Sequence, residues 1–182
     1  MLLTLLLAAV SQSVRQPDTE FLLTTCGGVP KGQRSIGRGE YGLQFRIPKH
    51  QVQVNSVKPD EEHIRYLVKM KNRPGLWLLW FGVYSLSRNP DPQRVSESVS
   101  VSRSEVSNRK GQNVGLDTVG HLPDGTRWRH FVVASESAAY SDFDGEGATY
   151  SNVSADVAAL FNRIIDSACV APVPKSDTGT AN

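Results

Sequence analysis

The feature that most constrains this chain is a hairpin. Two alternating segments, residues 116–122 and 126–133, flank Pro123-Asp124-Gly125. Proline presets the first turn angle, aspartate favours the second, and glycine accepts the left-handed position that closes a three-residue loop. In that register Leu122 opposes Thr126 and Gly120 opposes Trp128, so the indole lies over a residue without a side chain. Leu116, Trp128, His130 and Val132 then read as the core face. Asp117, His121, Arg127 and Arg129 read as the outer face.

Other segments add strands to this hairpin. Leu43, Phe45 and Ile47 alternate with Gln44 and Arg46, and Pro48 ends the run. Ile64, Tyr66, Val68 and Met70 alternate with His63, Arg65, Lys69 and Lys71, with Leu67 as an apolar intruder on the basic side. Residues 76–84 are apolar on both faces, as in a central strand covered on both sides. Val95, Val99 and Val101 interleave with serines and read as a polar edge strand; the serine and valine density disfavours a helix over 94–109. Phe21, Leu22 and Leu23 fit a short helix or a short strand about equally, and residues 27–39 read as a glycine-rich loop.

At the far end, Val157, Leu160, Phe161, Ile164, Ile165 and Ala168 recur at helical spacing. Ser154 reads as the N-cap and Asp156 favours the first turn. The expected fold is α+β: a mainly antiparallel sheet of five to six strands packed against a C-terminal helix.

Hydrophobic residues make up 39% of the 182 and charged residues 21%, enough apolar mass for one core. Residues 41–170 form the expected single domain, 12–40 an N-terminal segment with the glycine-rich loop, and 171–182 a disordered tail. Residues 1–11 (MLLTLLLAAVS) are too short to span a bilayer and match the apolar core of a signal peptide. The basic leading residues are missing, as in a truncated one. The only two cysteines, Cys26 and Cys169, lie near opposite ends, and an oxidising compartment would join them. Neither has a Cys-x-x-Cys partner, which disfavours metal or redox chemistry. These features place the chain in a secreted or periplasmic setting.

Three candidate sites follow. Asp142, Asp144 and Glu146 alternate before Gly147, as at the start of a calcium loop. The twelfth position, however, is Val153 rather than a bidentate glutamate, so a solvated loop is the preferred reading. His63, Arg65, Lys69, Lys71, His121, Arg127 and Arg129 form one anion-binding face if their strands share an outer side. Its partner would be an anionic glycan or an envelope protein. A net charge of +2 argues against nucleic acid, and no segment is long and apolar enough for a transmembrane span.

The third candidate is catalysis, with His121 beside Asp117 or Asp124. No Gly-x-Ser-x-Gly elbow and no paired histidines at helical ligand spacing accompany it. His130, between Trp128 and Val132, reads as a hydrogen-bonded core residue. Asn152-Val153-Ser154 is a formal N-glycosylation acceptor, although a capping role already accounts for Ser154. No cofactor is implied. The sequence therefore reads as a non-enzymatic exported binding or envelope-associated module, with a small hydrolase using His121 as the alternative.

Overall fold

The computed structural model describes residues 20–37, 42–57, 65–71, 79–82, 87, 89–134 and 145–171. Residues 1–11, His63, Asp142, Asp144 and 172–182 lie outside them. In chain order the elements are β1 (Phe21–Leu22), β2 (Thr24–Thr25), β3 (Gln33–Ile36), β4 (Leu43–Pro48), β5 (Val52–Val57), β6 (Arg65–Met70) and β7 (Leu79–Gly82). They continue with α1 (Pro92–Glu97), β8 (Ser100–Ser107), β9 (Asn113–His121), β10 (Arg127–Ala134), β11 (Gly145–Val153), α2 (Ala155–Ile165) and β12 (Cys169–Val170). An eight-stranded sheet runs in the order β1-β8-β9-β10-β11-β7-β6-β5, and a second sheet in the order β2-β12-β4-β3.

The hairpin forms in the expected register. Trp128 pairs with Gly120, and the Leu122 N–H donates to the Thr126 carbonyl at 2.9 Å. A Cβ at residue 120 would run into the Trp128 indole, so the bare glycine is what lets the ring lie flat on its neighbour. Asp124 accepts from the Thr126 N–H at 2.8 Å and from its hydroxyl at 2.6 Å, closing the turn.

Period-two burial also holds in β4, where Leu43, Phe45 and Ile47 are buried. Their side chains meet the large sheet: the Phe45 and Phe131 rings sit 6.3 Å apart, edge to face. α2 buries Val157, Ala158, Leu160, Phe161, Ile164 and Ile165 in the same cluster. One face of the large sheet is thus covered by α2 and β4 together. The Cys26–Cys169 disulfide closes this layer, with the Cys26 N–H donating to the Val170 carbonyl at 2.8 Å.

The fold is α+β, mainly antiparallel, with the C-terminal helix and one disulfide. The β1–β8 and β2–β12 pairings are parallel, which makes both sheets mixed. Several expectations need correction in detail. Strands are more numerous than five or six. Of the two alternatives for residues 21–23 the strand forms, because Phe21 packs on Phe131 at 5.1 Å and the Leu23 N–H reaches the Ser107 carbonyl. The supposed loop 27–39 contains β3, paired to β4. Residues 92–97 form a helical turn started by Asp91, which accepts from the Gln93 N–H, so β8 begins only at Ser100, and β1 rather than β8 ends the sheet on that side. Ser154 occupies the N-cap of α2 but makes no capping bond; its hydroxyl donates to Asp156 instead.

The largest omission is β11, which includes part of the supposed acidic loop. Its glycines exist for close approach: a Cβ at Gly147 would collide with the Phe131 carbonyl oxygen of the paired strand. Gly147→Ala is therefore expected to lower the unfolding free energy by about 2 kcal/mol or more. Urea denaturation beside Gly28→Ala, where a Cβ meets nothing within 4 Å, checks this.

Candidate functional site

The register decides which polar residues can meet. One transverse row runs through paired positions 66, 81, 148, 131, 117 and 104, and the next through 67, 80, 149, 130, 118 and 103. Tyr66, Ala148 and Phe131 belong to the core under α2, so the first row marks the helix-covered face. Alternation then assigns Asp117, His121, Arg127 and Arg129 to that face, and Lys69 to the other. The expected single basic face is thus divided between the two sides of the sheet. Lys71 is exposed just beyond the end of β6, Arg65 begins β6, and His63 lies outside the described residues.

Arg129 is the clearest departure from a solvated face. It is 5% exposed and Asp117 7%. Their fork is bidentate: Nε donates to Asp117 Oδ1 at 2.9 Å and Nη2 to Oδ2 at 2.6 Å. Nη1 reaches Asn162 Oδ1 at 3.2 Å and Asp166 Oδ1 at 2.8 Å, so this cation also anchors the last turn of α2. Burial alone would lower the Arg129 pKa, but the hydrogen bonds and charges of Asp117 and Asp166 outweigh it and hold the group protonated. The Tyr150 hydroxyl donates to Asn162 Oδ1 at 2.9 Å, and burial first of all pushes its pKa up to about 12. This cluster is a structural clamp with no vacancy for a ligand anion.

The other face of the hairpin is covered as well. Trp128 Nε1 donates to Ser98 Oγ at 2.8 Å, and His130 Nε2 lies 2.7 Å from the Ser87 carbonyl. A carbonyl only accepts, so Nε2 carries the proton and His130 is the hydrogen-bonded buried residue expected from its neighbours. Beside it Pro90, Asp91, Arg94, Thr149 and Ser151 wall a cavity of about 400 Å³. Burial lowers the His130 pKa below its ordinary 6.5.

The unfolded chain therefore takes up this proton first as pH falls. The stability His130 contributes is complete above its unfolded value and is lost as pH drops through the folded one. Wild-type melting temperature is expected to decline between pH 7.5 and 5, and His130→Gln to flatten that decline. Melting curves across this range check it.

At the end of the helix-side face, three neighbouring strands bring together a different set. Ser100 of β8 pairs with His121 of β9, and His121 with Arg127 of β10. Ser100 Oγ lies 2.9 Å from His121 Nδ1. Arg127 Nε is buried and has no hydrogen-bond partner. An orphaned buried donor costs about 1–3 kcal/mol, so this row holds unused capacity for an acceptor. Hydroxyl, imidazole and guanidinium are all groups that donate to phosphate, sulfate or carboxylate oxygens.

The acids proposed for His121 are engaged elsewhere. Asp117 is held by Arg129 and lies four residues along the strand, about 13 Å away. Asp124 serves the turn, and the Thr126 bonds lower its pKa. Among the described residues no cluster of three metal-ligating side chains occurs. Of the calcium candidates only Glu146 is described. It is buried at the start of β11, where its carboxylate accepts from the Leu43 N–H at 3.3 Å, rather than lying in a solvated loop.

The partner of His121 is therefore a serine, which sequence reading missed. The pairing follows from the β8–β9 register, and no local pattern announces that register. Compared with protein-family models, curated proteins and solved structures, the chain shows no match to any.

Proposed function

We propose that this chain is an exported, disulfide-tied binding module that takes an anionic group at the Ser100–His121–Arg127 row. The observation that carries the reading is the unpaired Nε of Arg127, a residue paired across the strands with His121, whose ring in turn meets the Ser100 hydroxyl. The ligand class is an anionic glycan or the acidic surface of an envelope protein, both of which offer oxygen acceptors at a sheet end. Export is supported by the disulfide and by the apolar run of residues 1–11. Among the described residues, no helix is long and apolar enough to cross a membrane.

The test is a thermal-shift titration of the oxidised chain with a sulfated glycan and with polyphosphate. At about 100 times its dissociation constant a ligand adds roughly 2.7 kcal/mol of stability. The wild type should shift upward and Arg127→Gln should lose most of that shift. A shift equal in both proteins would remove the row from the account.

A second reading has one specific observation behind it, the Ser100–His121 contact. A serine hydroxyl within hydrogen-bond reach of an imidazole is the first element of a nucleophilic hydrolase. That reading requires a fluorophosphonate to label Ser100, with His121→Ala abolishing the labelling. Unlabelled Ser100 in the folded protein would set it aside and leave the binding reading untouched.

A further inference from the structure

Asn152-Val153-Ser154 is the one Asn-x-Ser/Thr triplet in the chain. In the folded chain the Ser154 hydroxyl donates to Asp156 and Asn152 Oδ1 accepts from Arg94, so neither contact uses the Asn152 amide nitrogen. Ser154 does not cap α2 with its side chain, so capping does not explain its hydroxyl.

Asn152 sits where the β10–β11 ladder slips. Arg129 pairs with Tyr150 and Arg127 with Val153, so Ser151 and Asn152 together face the single residue Trp128. This bulge puts Asn152 at φ 55°, in the left-handed region that asparagine tolerates, with its side chain exposed. Arg94 Nη1 donates to Asn152 Oδ1 at 2.6 Å. That bond uses the amide oxygen only, fixes the side chain and leaves Nδ2 without a hydrogen-bond acceptor of its own among the described residues. A glycan on Nδ2 would leave the bond from Arg94 in place.

We propose that Asn152 is an N-glycosylation site. The proposal rests on the export reading, because the donor is met only in a secretory lumen. In the transfer, Nδ2 forms a bond to the anomeric carbon of a lipid-pyrophosphate-linked glycan. The bond from that carbon to the pyrophosphate oxygen breaks, the lipid pyrophosphate leaves, and one amide proton passes to base. The folded chain then carries the glycan on the exposed bulge.

The test expresses the full chain in eukaryotic secretory cells and reads residue 152 by peptide mass spectrometry, with and without enzymatic glycan release. The expected result is one glycan on most chains, with aspartate left at 152 after release. Asn152→Gln and Ser154→Ala should each abolish it, the second while retaining Asn152 itself. An oxidised chain with intact Cys26–Cys169 and unmodified Asn152 would overturn the proposal alone. An unmodified chain in the cytosol with two free thiols would overturn the export reading, and the proposal with it.

Discussion

Reduction of the Cys26–Cys169 bridge is expected to cost about 5 kcal/mol of unfolding free energy. The bridge closes a sequence separation of 143 residues, and in the chain-entropy model a loop of that size carries a penalty of about this magnitude. The native side of the balance supports the same sign. Cys169 stands on β12 between β2 and β4, and β2 is only two residues long. Without the covalent link, β2 is held to β12 by two residue pairs and by the Cys26 N–H bond to the Val170 carbonyl. Urea denaturation with and without reductant, repeated on the Cys26→Ala/Cys169→Ala chain, checks the value. Coincident midpoints for oxidised and reduced protein would show that the loop is already restricted in the unfolded state.

Asp117→Ala should be nearly as damaging, at about 3–5 kcal/mol, because it leaves the Arg129 guanidinium buried without its bidentate partner. Asp166 cannot replace Asp117: its side chain is 56% exposed, and water screens the attraction. The asymmetry distinguishes this clamp from an ordinary surface pair. Replacing both partners with apolar residues, as in Asp117→Leu/Arg129→Met, should cost much less than Asp117→Ala alone, since no charge is left stranded. A double-mutant cycle measured by urea denaturation gives the coupling directly. A loss below about 1 kcal/mol for Asp117→Ala would mean that water reaches Arg129 in the folded state.

The parts of this fold legible in the sequence are those set by local chemistry. Pro123-Asp124-Gly125 specified the hairpin and its register, Gly120 under Trp128 included. The stripe from Val157 to Ile165 specified α2, and period-two alternation specified β4. The parts that escaped depend on partners distant in sequence. β11 reads as loop because Gly145 and Gly147 erase its alternation, yet both are there to let neighbouring strands approach. Asp117 and Arg129 read as a solvent face because charged residues at alternate positions suggest exposure, whereas α2 and Asn162 cover that face. The supposed basic face failed on parity: β6 reaches β10 through β7 and β11, and that path puts Lys69 on the opposite side from Arg127. Ser100 beside His121 depends on the β8–β9 register carried the whole length of both strands from the turn at 108–112, so nothing local pointed to it.

The most direct test of the binding account is a nuclear magnetic resonance titration of the oxidised chain with a sulfated oligosaccharide, following arginine side-chain Nε–H and histidine ring signals. Capture of an anion at the row should move the Arg127 Nε–H and the His121 ring saturably, while the Arg129 Nε–H, already bound to Asp117, stays in place. Saturable shifts confined to other residues, or none at all, would contradict the assignment of the ligand to Ser100, His121 and Arg127.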